Sequence, residues 1–212
     1  MFKHSAAHPE QAIVMIFDLE GFSKFFSQPD VQSYVPNYLN GVLEAVEIAV
    51  GGGHAYYLDD SDNEPPGTND LSPLPRPIHK KFMGDGMLYI WRYHDFTAAT
   101  KRNLLNRLYN LQLHFSKVTL RVAEEVPVID IPKRTRIGVS AGSIYKLTYS
   151  TSRRDEYIGY SINLASRLQN YCKGIGFIAS ARINASHQKL AESKYVRVVA
   201  TQLRGFPMIR IF

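Results

Sequence analysis

Two carboxylates stand where apolar runs meet glycine. Residues 12–17, "AIVMIF", are continuously apolar and close on Asp18, with Gly21 just beyond; "KFMGDGMLYIW" over 81–91 sets Asp85 between Gly84 and Gly86. Glycine on both sides of an acid marks a tight turn, because glycine reaches backbone conformations that other residues avoid. Neither carboxylate is surrounded by His or Cys in the sequence, and an oxygen-only pair favours Mg²⁺ or Mn²⁺ over Zn²⁺. Those ions commonly bridge a protein to phosphate groups, so the pattern points to phosphate chemistry. The same Asp-Gly step is also an ordinary hairpin signal, and spacing alone leaves the two readings level.

The segment "NLASR" tips the balance. It places Asn163 and Arg167 four residues apart, on one face of a helix. An amide and a guanidinium aligned in this way can hold a ribose and a phosphate chain, Arg gripping phosphate oxygens bidentately. Taken alone, the two also read as a solvated amide and a surface cation. No Ser-His-Asp or Cys-His nucleophile accompanies them, and the seven histidines show no paired metal spacing. Cys172, the single cysteine, reads as packing; it excludes an internal disulfide and suggests a reducing compartment, the cytoplasm.

Composition narrows the partners. A net charge of +6 with 45% hydrophobic and 21% charged residues describes an ordinary globular chain with a leaning toward anions. The basic residues are spread along the sequence without a block or an aromatic-interleaved motif, so no nucleic acid is expected. No run approaches the ~20 apolar residues that span a bilayer, and Met1–Gln11 lacks a signal-peptide core, so no membrane insertion is expected either.

The 212 residues read as one domain. Strands are expected over 12–17, 79–83 and 87–92, the last two joined at the Asp85 turn. Residues 23–35 hold turns and helix starts, and helices are expected over 36–50, 96–124 and 161–173. Residues 134–148 read as paired strands broken at Gly142, and the chain closes with a helix near 181–192 and strands near 195–200 and 207–212. The Asp-, Asn- and Pro-rich text from Tyr56 to Ile78 is a loop, an insertion at about 58–78, whose "LDDSDNE" reads as a solvated turn. Tyr56, Tyr57 and Phe82 are candidate neighbours of a ring-shaped ligand.

Four segments, "IVMIFDLEGFSKF", "KFMGDGMLYIW", "RIGVSAGSI" and "EYIGYSINLASRL", resemble in order and interval the core motifs of the class III nucleotidyl cyclase catalytic domain. The resemblance covers roughly 12–212, with the 58–78 loop as the chief departure. It implies an α+β, ferredoxin-like βαββαβ core that forms a head-to-tail homodimer, with active sites in the groove between subunits. Asp18 and Asp85, with the Leu19 carbonyl, would hold two Mg²⁺ or Mn²⁺ ions, and the amides of Glu20, Gly21 and Phe22 would touch the triphosphate. The opposite subunit would supply Asn163 to orient the ribose and Arg167 to stabilise the transition state. Arg204 of "LRGF" would bind phosphate where the family usually has Lys, and Lys81 and Glu156 would read the base. The glycines around Asp85 would let the hairpin tip come close to the nucleotide.

Attack of a ribose 3′-hydroxyl on the α-phosphate, with pyrophosphate leaving, suits these residues, since two ions can stabilise the entering and leaving oxygens together. One donor, Lys81, and one acceptor, Glu156, do not identify the base: adenine, cytosine and uracil each offer a matching pair. Two departures bear on it. Glu156 stands where adenylate cyclases usually have Asp or Thr, and Ser143 where some members have a phosphate-contacting Arg. The compact chain is similar to the stand-alone pyrimidine cyclases of bacterial antiphage Pycsar systems, which implies UTP as substrate and cyclic UMP as an alarm for a separate effector. An adenylate cyclase making cyclic AMP, and an inactive nucleotide-binding cyclase-like domain, are the alternatives. A polymerase or diguanylate cyclase palm shares the plan and the two-metal logic.

Overall fold

The computed structural model describes residues 2–3, 8–52, 73–124, 126–127, 130–149, 155–185, 190, 195–196, 198–200, 203–206 and 208–212. Most of the expected 58–78 loop, with Tyr56, Tyr57 and "LDDSDNE", lies outside these residues. The strands are β1 (Phe2–Lys3), β2 (Glu10–Glu20), β3 (His79–Phe82), β4 (Gly86–Arg92), β5 (Arg134–Tyr149), β6 (Asp155–Ile158), β7 (Phe177–Ala179), β8 (Val198–Ala200) and β9 (Ile209–Ile211). The helices are α1 (Phe22–Phe26), α2 (Val35–Gly51), α3 (Ala98–Val122) and α4 (Tyr160–Tyr171).

β2 is buried on both faces, which is why its sequence is an unbroken apolar run rather than an alternation. Ile13, Met15, Phe17 and Leu19 enter the core that α2 and α3 cover, with Tyr38, Val42, Leu104 and Phe115. Ala12, Val14 and Ile16 point the other way, into a smaller cluster with Ala165 of α4. The sheet runs β1-β5-β2-β4-β3, with β6 and β7 also paired to β5, and β8 with β9 forms a separate ribbon. Among the described residues, the β5–β7 pairing is parallel and the other strand pairings are antiparallel. The succession β2, α2, β3, β4, α3, β5 is the βαββαβ plan expected, and α+β is the class observed.

Helix ends follow local chemistry. Pro36 sits in the first turn of α2, and Gly52, at φ 108°, closes its last. Thr97 and Thr100 form reciprocal cap bonds at the start of α3, the Thr97 hydroxyl accepting from the Thr100 amide at 3.1 Å. Thr97→Ala should therefore lower stability by about 1 kcal/mol, read as a shift of the urea midpoint without a change in slope.

Three expectations change. β2 reaches Glu20, so Asp18, Leu19 and Glu20 lie within the strand and the turn falls at Gly21. The helix expected near 181–192 opens instead as a 3₁₀ turn at Ala181–Ile183, with 186–189 and 191–192 outside the described residues. β5 is one strand of 16 residues, not a pair broken at Gly142. Its glycines admit α4 instead: a side chain at Gly142 would press on the Tyr160 ring, and one at Gly138 would collide with the backbone of Ala165 and Gln169.

Candidate active site

The two carboxylates meet because neighbouring strands end together. Asp18 faces Gly86 across the β2–β4 ladder, and the Leu19 amide donates to the Asp85 carbonyl at 3.1 Å, pinning the hairpin tip to the end of β2. Gly84 adopts φ 100°, and a side chain on Gly86 would run into the Phe17 carbonyl. The second glycine is thus required by the chain's own strand, not by the close approach of a ligand.

Asp18 carries a partner that the motif reading left without a role. Arg136, directly opposite on β5, donates from Nε to Oδ1 at 2.8 Å and from a terminal nitrogen to Oδ2 at 2.5 Å. Both side chains are about four-fifths buried, each 18% exposed. Burial pushes the Asp18 carboxyl above its ordinary value, Arg136 pulls it back, and the charge of Asp85 adds to the upward push. Arg136 in turn is raised by its bonds to Asp18. Both shifts are upward, which favours a neutral Asp18 but a charged Arg136; the short bidentate geometry decides for an ion pair at neutral pH, since a neutral carboxyl could not accept both bonds at full strength.

Gln169 of α4 also approaches Asp18, its buried Nε2 short of a well-formed hydrogen bond. Among the described residues no three His, Cys, Asp or Glu gather into a group. The donor set therefore fits a hard divalent ion in kind, through two carboxylates whose charges already repel, while Arg136 holds one of them. Gly21, at φ 87°, turns the chain into α1, and Phe22 opens that helix. Cys172 is buried against the Ile137 carbonyl and its thiol is pushed up to about 12, which is a packing role.

Farther along the same face of the sheet, α4 presents Asn163 and Arg167 to solvent. Its start is clamped by Tyr160, which meets Phe206 edge-on at 5.1 Å, and Phe206 closes the exposed turn that carries Arg204. Lys81 and Glu156, far apart in sequence, form an ion pair at 2.7 Å. Beside them the His79 ring lies 5.0 Å from Tyr157. Phe82 is about half exposed.

No protein-family model and no curated protein sequence matches the chain. Solved structures do. The adenylyl cyclase CyaB from P. aeruginosa superposes with a TM-score of 0.64 at 15% identity, over 97% of this chain and 93% of that one. The guanylyl cyclase Cya2 gives 0.63 at 15% identity, over 97% and 91%. Adenylate cyclases from Trypanosoma brucei in their monomeric state give 0.58 at 13% identity, over 95% and 86%. The chain has the cyclase fold.

Within this cyclase fold the expected residues fall into three groups. Gln169, which approaches Asp18, is six residues beyond Asn163, or roughly 9 Å along the helix axis. At about 100° per residue, Asn163 and Arg167 point roughly 120° and 160° away from Gln169. Asp18 and Asp85 are together, Lys81 and Glu156 are together, and no hydrogen bond or ion pair among the described residues joins Asn163 or Arg167 to the carboxylates. No helix among those residues is long and apolar enough to cross a membrane.

Proposed function

We propose that the protein is a divalent-metal-dependent nucleotide cyclase. It converts a nucleoside triphosphate to a 3′,5′-cyclic nucleotide and pyrophosphate in composite sites of a head-to-tail homodimer. The observation that carries this reading is the split just described: metal-type carboxylates at the end of β2, and an exposed Asn163–Arg167 pair turned away from them on α4. Two copies are needed to bring one group against the other.

Asp18 and Asp85, with the Leu19 carbonyl, hold two Mg²⁺ or Mn²⁺ ions, whose chemistry is to stabilise the attacking 3′-oxygen and the leaving oxygen. Glu20, Gly21 and Phe22 lie where the β2–α1 turn can meet the triphosphate. From the partner copy, Asn163 orients the ribose, Arg167 sets fixed positive charge at the α-phosphate, and Arg204 takes a terminal phosphate. The 3′-oxygen bonds to the α-phosphorus, the α–β bridge breaks, and the hydroxyl proton passes to water.

UTP is the substrate we carry forward, with cyclic UMP as an antiphage signal acting on a separate effector in the cytoplasm. Lys81 and Glu156 set a donor and an acceptor side by side, matching uracil O4 and N3–H. The extra methylene of Glu156, relative to Asp, supports a smaller ring than a purine. One observation favours a second reading: Arg136 occupies both oxygens of Asp18, as expected of a domain that binds nucleotide without turning it over.

One incubation separates these readings. The protein with Mn²⁺ and equal ATP, GTP, CTP and UTP should yield cyclic UMP by mass spectrometry. Preference for ATP would sink the pyrimidine assignment and leave the cyclase; nucleotide binding without any cyclic product would favour the inactive domain.

A further inference from the structure

The cyclase reading leaves a cation on the flank of α4 without a task. Arg182 follows β7 in the Ala181–Ile183 turn, where its amide donates to the Ser180 hydroxyl at 3.3 Å. Ser180 is fully buried and its own amide donates to the Val139 carbonyl at 2.8 Å, so the turn is anchored to β5. The exposed Arg182 guanidinium lies 4.7 Å over the Tyr160 ring, the same ring that Phe206 meets edge-on. Phe206 donates its amide to the Leu203 carbonyl at 2.9 Å, closing the turn that carries Arg204. Tyr160 precedes Asn163 by three residues and Arg167 by seven, which puts all three on one stripe of the helix. One aromatic ring therefore gathers Arg182 and the Arg204 turn beside Asn163 and Arg167.

Stacking uses the flat face of a guanidinium and leaves its N–H edge free. Among the described residues no side chain or carbonyl accepts from Arg182, and no carboxylate pairs with Arg167, Arg182 or Arg204. Three guanidiniums without a carboxylate partner among the described residues make a surface that attracts a polyanion. We propose that Arg182 is a further triphosphate-binding residue, gripping the phosphate chain alongside Arg204. The proposal rests on the cyclase reading and extends it to a residue outside the four motifs.

The test measures binding apart from turnover. Titration calorimetry of wild type, Arg182→Ala and Arg182→Lys uses inorganic tripolyphosphate, UTP and UMP as probes. Arg182→Ala should weaken tripolyphosphate and UTP about tenfold, with Arg182→Lys intermediate. UMP, which lacks the terminal phosphates, should bind unchanged. In the cyclase assay KM should rise by a similar factor while kcat stays within about twofold. Equal tripolyphosphate affinity in wild type and Arg182→Ala overturns the proposal, as does an equal loss for UMP, which would mark a purely structural role. Weakened tripolyphosphate binding with no cyclic product from wild type would keep the anion site and reject the cyclase.

Discussion

Asp85→Asn and Arg167→Ala should each abolish cyclic nucleotide production, and mixing the two variants should bring it back. Removing Arg167 takes fixed positive charge from the reacting phosphate, worth about 10²–10³ in kcat for groups of this kind. Removing the Asp85 carboxylate leaves Asp18 as the remaining carboxylate for the ions, and the loss should be at least as great. In a mixed dimer, one site combines the intact Asp85 of one copy with the intact Arg167 of the other, while the second site lacks both. With random exchange half the dimers are mixed, so about a quarter of wild-type activity returns. Recovery should scale with the mole fraction of mixed dimer, measured by mass spectrometry of differently tagged copies. Confirmed exchange with no recovery would mean that each chain holds its own complete site, contrary to the way α4 turns Asn163 and Arg167 away from Asp18.

Much of this arrangement was legible in the sequence because it is local. The run before Asp18 is apolar at every position, as a strand covered on both faces must be, and "GDG" sits at a hairpin tip with one strand on each side. The helices expected over 36–50, 96–124 and 161–173 appear at Val35–Gly51, Ala98–Val122 and Tyr160–Tyr171, since their apolar spacing and caps are properties of neighbouring residues. What escaped was long-range. Gly138 and Gly142 read as interruptions of a strand until α4 is laid against them, and then they are the points of closest approach. Arg136 looks like the polar start of a strand; only the β2–β5 register sets it opposite Asp18. Lys81 and Glu156 were expected in one site through resemblance, and their ion pair depends on β6 reaching back toward β3. Arg182 belongs to no motif, and nothing short of the Tyr160 contact singles it out.

Arg136→Gln should raise the affinity of the resting protein for Mn²⁺ by roughly a hundredfold, read from the free-ion signal in electron paramagnetic resonance titrations without nucleotide. In wild type an incoming ion must displace two charge-assisted bonds from Asp18, each worth about 1.5 kcal/mol or more, and about 1.4 kcal/mol is a factor of ten. Glutamine keeps a donor but neither the charge nor the fork, so the ion meets a carboxylate that is buried and underpaired. The same loss should make binding more sensitive to acid. Burial already pushes the Asp18 carboxyl upward and Arg136 opposes it; without Arg136 the proton holds on to higher pH. An ion needs the ionised form, so Mn²⁺ affinity of the variant should fall as pH drops through that raised value and recover above it. An affinity equal to wild type at neutral pH would show that the guanidinium does not stand between Asp18 and the ion. A higher affinity that disappears on adding Asp18→Asn would fix the competition to that one carboxylate, because the second change removes the ligand for which ion and guanidinium compete.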